Sequence, residues 1–412
     1  MTTFSKLILA CAFVFAFSGL HAQETQFLQG KFSEALAKAK ATNKPIFVDL
    51  YFEGCMPCKK MDQETFKDEK VSNYFNENYV CYKVDIFKEE DGKVLCRKFA
   101  VSGFPTYLFL TPSGQFVEGS SGFTGADRFL PLMQASKALA DKNQTRQFSA
   151  KLDESYPAFY SDGYLNPKSG IDTKAAIATY AAETNKYTAE VNFVVQSRYF
   201  NSMPTNIKEA YFANIHTNAK NFNAKTVANC IYNYCKVKAE GFAAKNDQAG
   251  FDAMIKHVRP VFTEHDWAIF GKIMYDGYYT KLNNTAAYID YVGASSFYDI
   301  IDKANIVFEM LPKLKDNAAL ATKMGAWFND KEINAVPYKY SIANVFYAAS
   351  IAEYYAKNQA KALSYGRNAA ESAAANKAPN LKNIEDFYKA LQNNQQDYVV
   401  TPAHAIKPMI MN

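Results

Sequence analysis

The chain is 412 residues long, 49% hydrophobic and 21% charged, which supports two or three cored domains and excludes a disordered or collagen-like protein. Its 46 basic and 41 acidic residues are dispersed without basic blocks, leaving no electrostatic footprint for nucleic-acid binding. Seven cysteines at uneven spacing, Cys11, Cys55, Cys58, Cys81, Cys96, Cys230 and Cys235, are too sparse for a small disulfide-stapled scaffold.

Lys6 precedes an apolar run from Leu7 to Phe17, and Ser18, Gly19 and Ala22 lead into the polar Gln23-Glu24-Thr25. A positive start, a run of 11 apolar residues where about 20 span a bilayer, and a small residue at the cut form the layout of a secretory signal peptide. Residues 1–22 are therefore expected to be removed after Ala22. An uncleaved anchor and a lipidated Cys11 are the alternatives, the second disfavoured because Cys11 lies inside the apolar run. The remaining chain is expected to carry no membrane span and to work in an oxidising, extracytoplasmic space, periplasmic or secreted.

Residues 23–142 alternate helix and strand. Phe32, Leu36 and Ala39 recur at helical spacing, with Ser33 near the start and Asn43-Lys44-Pro45 as the stop. The apolar Ile46 to Phe52 reads as a strand buried on both faces, and one helix is expected from about Cys55, carrying Met61, Phe66, Val71 and Phe75. A second strand over Tyr79 to Ile86 and a short helix over Val94 to Phe99 follow. Strands at Thr106–Leu110 and Phe116–Glu118 flank the Pro112-Ser113-Gly114 turn, and a helix over about Asp127 to Leu139 closes an α/β unit.

From residue 143 to residue 412 the strand-like runs cease. Apolar residues recur at three and four, as in Val227, Cys230, Ile231, Tyr234 and in Ile342, Val345, Phe346, Ala349. Pro204, Pro260, Pro312, Pro337 and Pro379 punctuate this all-α region. Residues 342–376 resemble a tetratricopeptide-type helical pair, with Tyr354-Tyr355 in one helix and Ala362-Leu363-Ser364-Tyr365 in the next. The region is thus expected to be a helical domain, with an array of helical-hairpin repeats as an open alternative.

Glu53-Gly54-Cys55-Met56-Pro57-Cys58 lies where a buried strand turns into a helix. Helical residues three apart have Cα atoms about 5 Å apart, within disulfide reach, and a cysteine at a helix N-terminus is favoured as a thiolate. Cys58, one turn in, is expected to be buried. The segment resembles the thioredoxin-like domains of secreted bacterial proteins, through the lead-in Phe32 to Phe52, the Cys-x-x-Cys, Glu64-Thr65-Phe66 with Asp68 and Val71, and Gly103-Phe104-Pro105-Thr106. The resemblance implies that Cys55 and Cys58 are the catalytic pair and that Pro105 is a cis-proline facing them, with the backbone at Phe104 pairing with substrate. It also implies that Asp49 manages the Cys58 proton and that Lys83 neighbours that acid. Gly54 stands where the family usually has Trp, and the bulky Phe104 before the proline is expected to narrow the range of substrates.

Half a zinc site is disfavoured because no His occurs between His21 and His216, which also removes a Cys–His hydrolase within the domain. No metal and no cofactor is expected. Cys81 and Cys96 are either a second disulfide or two buried thiols. Cys230 and Cys235 are five apart and bridge only if their helix breaks between them. Two functions remain: a thiol–disulfide oxidoreductase acting on protein thiols and disulfides, or a non-catalytic scaffold whose helical domain binds a protein or peptide and whose disulfide is structural.

Overall fold

In the computed structural model, residues 24–164, 166 and 170–403 are described, so the expected signal peptide with Cys11 lies outside the described residues. The chain divides into two compact units, residues 1–234 with 256–263, and residues 235–255 with 264–412.

The first unit is built on a five-stranded sheet of order β1-β3-β2-β4-β5: β1 Phe27–Leu28, β2 Ile46–Tyr51, β3 Val80–Asp85, β4 Thr106–Leu110 and β5 Phe116–Ser121. β1 and β2 run parallel to β3, whereas β4 runs antiparallel to β2 and β5. The α1 helix, Phe32–Thr42, is not capped by Ser33, which lies within it; the Phe32 N–H donates instead to Asp91 Oδ2 at 2.6 Å. Asn43, left-handed at φ 52°, ends it.

The helix expected from Cys55 is two helices. The α2 helix, Met56–Lys60, runs into a π-turn, Met61–Thr65, and α3 restarts at Glu69–Asn78. Asp68 Oδ1 accepts the Lys70 and Val71 N–H groups and so caps the new helix. The wider turn lets Met61, Thr65 and Phe66 all be buried. Helix α4, Glu90–Lys98, begins a turn earlier than the apolar residues suggest, and α5 covers Ala126–Asp141.

Side-chain alternation splits the core. Phe47 pairs with Cys81 and Phe109, so these share one face, where the Phe47 ring lies between 4.4 and 6.0 Å from the rings of Phe66, Phe75, Tyr107, Phe109 and Phe129. The opposite face carries Ile46, Val48, Leu50 and Tyr82 and is covered by α1, with Phe32 against Tyr82 at 5.7 Å.

Residue 142 is followed, in the same unit, by helices that include α6 Ala158–Ser161, α7 Ala189–Arg198 and the start of α8 Ala224–Ala244. An aromatic chain joins them to the sheet: Phe99 stacks on Phe116 at 4.9 Å, Phe148 meets both, and Phe222 meets Phe148 at 5.3 Å. The Lys98 ammonium, 1% exposed, is enclosed by Glu190, by Ser149 Oγ at 2.8 Å and by Glu154 Oε1 at 3.7 Å. Tyr160 Oη donates to the Arg97 carbonyl at 2.5 Å, and Tyr164 Oη to that of Val101.

The second unit is helical. Its core includes α9 Lys339–Tyr355, α10 Gln359–Ala375 and α11 Leu381–Gln392, and α9 and α10 form a hairpin across three residues. Ser350 Oγ donates to the Ala362 carbonyl at 2.7 Å where they meet. Four of the expected breakers, Pro204, Pro260, Pro337 and Pro379, lie at helix boundaries, whereas Pro312 lies inside the last turn of Ile300–Leu314. No helix among the described residues is long and apolar enough to cross a membrane.

Truncating the buried cation tests how the helical segment is held. Lys98→Ala leaves Glu190 buried without its partner and is expected to lower stability by about 3–5 kcal/mol, with Lys98→Met combined with Glu190→Leu costing less than Lys98→Ala alone, as measured by urea denaturation.

Candidate active site

The site grows from the carboxyl end of β2. Beyond Tyr51 the chain turns through Glu53-Gly54, with Gly54 at φ 92°, a conformation that favours glycine although space for a Cβ is open. The absence of a tryptophan here thus coincides with a turn that disfavours any side chain. Cys55 is the N-cap of α2, Pro57 lies in its first turn, and Cys55 and Cys58 form a disulfide with Cα atoms 5.3 Å apart. The Cys58 N–H donates to Cys55 Sγ at 3.2 Å. Both cysteines are buried, Cys55 at 6% exposed and Cys58 at 3%.

The Phe104–Pro105 peptide bond is cis. Thr106, the next residue, pairs with Leu50, so Pro105 sits at the end of β2 from which the cysteine turn departs. Phe104 meets Phe52 edge to face at 5.5 Å, and Phe52 meets Phe87 at 5.7 Å. Phe87 and Met56, next to Cys55, are exposed.

Asp49, Lys83 and Tyr107 stand side by side on the Phe47 face of β2, β3 and β4. Lys83 Nζ lies 3.2 Å from Asp49 Oδ2 and donates to Asp62 Oδ1 in the π-turn. Burial disfavours the Lys83 ammonium, but Asp49 and Asp62 outweigh it and hold its pKa above the ordinary lysine value. For Asp49, 1% exposed, burial dominates: its carboxyl is raised to about 6 although Lys83 pulls the other way. Asp49 Oδ1 and Tyr107 Oη are buried without a hydrogen-bond partner.

Two carboxylates escape a reading of the sequence. Asp62 lies four residues after Cys58, the spacing of one helix face, and that interval is its only signal. Asp85, the last residue of β3, accepts the Glu53 N–H at 3.0 Å through Oδ2 and the Phe87 and Lys88 N–H groups through Oδ1. It thereby ties the cysteine turn to the loop after β3.

Cys81 and Cys96 are two buried thiols, not a disulfide. Cys81 shares the Phe47 face, whereas Cys96 lies on α4, which leads to Phe99 and Phe116 on the other side; burial pushes both thiols well up. Cys230 and Cys235 lie on the unbroken α8, so the condition for bridging is not met. Among the described residues no group of three His, Cys, Asp or Glu side chains converges as a metal site.

The sheet order, the cysteine pair at a helix start and the cis-proline together define a thioredoxin-like domain, and residues 26–112 match the family of that description. Over 99 residues the chain is 35% identical to the uncharacterized protein B0495.5 of Caenorhabditis elegans, covering 23% of this chain and 14% of that one. Over 104 residues it is 33% identical to the thiol:disulfide interchange protein DsbD of Yersinia pestis, covering 24% and 17% respectively. It therefore spans less than a fifth of either relative's length. Among solved structures it is similar to a provisionally assigned disulphide-isomerase from Bacteroides thetaiotaomicron, at 34% identity over 28% of this chain and 95% of that one, with a TM-score of 0.27.

Because Asp49 binds its proton more tightly in the folded chain than in the unfolded one, its contribution to stability is full below about pH 4 and is lost as pH rises through about 6. Between about pH 3.5 and about pH 7.5 the stability of the wild type relative to Asp49→Asn is expected to fall by roughly 3 kcal/mol, read from urea denaturation at the two pH values. A pH-independent difference would place the carboxyl at its ordinary value.

Proposed function

We propose that the chain is an extracytoplasmic thiol–disulfide oxidoreductase that exchanges disulfides with protein substrates through Cys55 and Cys58. The observation that carries this reading is a cysteine pair bridged at a helix start, with the Cys58 N–H directed at Cys55 Sγ. After reduction the same N–H favours a Cys55 thiolate, the nucleophile of disulfide exchange. The relatedness to an interchange protein over this segment supports the reading, and the secretory layout of residues 1–22 supports the compartment.

In the reducing direction the Cys55 thiolate attacks one sulfur of a substrate disulfide and the other sulfur leaves as a thiolate. Cys58, once deprotonated, attacks Cys55 Sγ of the mixed disulfide and releases the second substrate thiolate. The substrate gains two electrons and Cys55–Cys58 is left oxidised; the reverse sequence oxidises a dithiol. In this proposal Asp49 takes the Cys58 proton, which suits a carboxyl with a pKa near 6 and an unpartnered Oδ1, while Lys83 holds its other oxygen. Phe104 and Pro105 border the substrate.

Cys58→Ser is expected to trap substrate proteins as mixed disulfides on Cys55, visible on non-reducing gels, whereas Cys55→Ser traps none and loses insulin reduction by about a thousandfold. If Cys58→Ser captures nothing and the double serine variant reduces insulin as well as the wild type, the disulfide is structural and the chain is a binding scaffold. The reduction potential of the pair then separates a reductant from an oxidant.

A further inference from the structure

The segment that leads into the cis-proline also borders a space that neither Cys55 nor Cys58, nor Phe104 or Pro105, lines. Phe99 to Gly103 form one wall of a space within the first unit, and the first turns of α8 form the facing wall. Its two chambers share Ala100, Ser102, Thr226 and Asn229. The smaller reaches Ser120 and Ser121 at the end of β5. The larger, about 340 Å³, is bordered by Ser197 to Ser202 and falls in the size range of ligand sites.

Two properties of the lining restrict what fits. Ser102, Asn201, Ser202, Thr226 and Asn229 bring hydroxyls and carboxamides to the lining of the larger chamber, groups that both donate and accept hydrogen bonds, whereas the Ser197 hydroxyl is paired with Tyr211. An extended backbone presents N–H and C=O groups in alternation and matches such a surface whatever its side chains, whereas an acyl chain does not. Among the described residues the charged members of the lining, Arg198 and Lys225, are both cations and no carboxylate lines either chamber; Arg198, over the Tyr164 ring at 5.0 Å, borders the larger one.

The wall is also held in place. Tyr160 and Tyr164 bind the carbonyls of Arg97 and Val101, and Lys98 is locked by Glu190. A preformed seat spares the ordering cost of binding.

We infer that this cavity is a polypeptide subsite of the oxidoreductase, seating the neutral or acidic extended segment that flanks a substrate cystine. The inference rests on the exchange activity proposed above. Ser102 and Gly103 immediately precede Phe104–Pro105, so a chain lying along that loop runs on into the cavity. Substrates are then polypeptides, selected beside the cystine by backbone contacts and by charge.

The experiment compares turnover, in the full chain, of a long cystine peptide with acidic flanks, the same peptide with lysine flanks, and capped cystine alone. The acidic peptide is expected to exceed the other two in kcat/KM by about tenfold. Asn229→Trp, which fills the cavity, and Asn229→Ala, which removes its polar group without bulk, are expected to erase or reduce that advantage while capped cystine is turned over at the wild-type rate. The subsite is overturned if the three substrates are equivalent, if neither variant changes the preference, or if capped cystine falls in parallel. Should the wild type turn over no cystine at all, the exchange reading fails by itself. Fluorescence anisotropy with the acidic peptide in linear, serine-substituted form then decides the cavity: weaker binding to Asn229→Trp than to wild type supports it, and equal binding overturns it.

Discussion

Strand β2 carries the domain. It pairs with β3 on one side and with β4 on the other, and its pleat fixes the direction of every side chain along it. Phe47 fills the centre of an aromatic core, Asp49 stands two residues further on the same face, and the cysteine turn begins beyond Tyr51. A slip of one residue would carry Phe47 and Asp49 to the opposite face together. Core packing and the position of the buried acid are therefore one constraint, which explains how an unfavourable buried carboxylate is retained next to a well-packed set of rings.

The acid is balanced on a single cation. Lys83 bridges Asp49 and Asp62, one carboxylate on the sheet and the other in the π-turn that follows the cysteine helix. The π-turn thus has two consequences: it turns Met61, Thr65 and Phe66 toward the core, and it holds a second acid within reach of Lys83. Asp85 acts in parallel at the end of β3 by fixing the turn before Cys55. The cysteine pair is consequently framed from both sides by groups that belong to the sheet.

Much of this was legible in the sequence because it is local. The run Ile46 to Phe52, the Cys-x-x-Cys and the Gly103 to Thr106 segment each announce themselves within a few residues. The break between α2 and α3 was not legible, since apolar spacing continues through Phe66 and Val71 while the cap at Asp68 decides the matter. Ser33 offered a local cap, but Asp91, distant in sequence, supplies it. β1, with two residues, is too short for alternation to register. The pairing of Lys98 with Glu190 spans 92 positions and leaves no periodic trace, so the attachment of the helices to the α/β unit emerged only from the fold.

The placement of Cys81 and Cys96 on opposite sides of the sheet has a consequence for a chain that holds a disulfide and spare thiols together. Thiols that meet inside one domain can pair with each other and so scramble its bonds. Here a layer of hydrogen-bonded backbone lies between those two thiols, and burial keeps each protonated. Within the α/β unit the sheet thus keeps Cys81 and Cys96 from pairing with each other for as long as the domain stays folded.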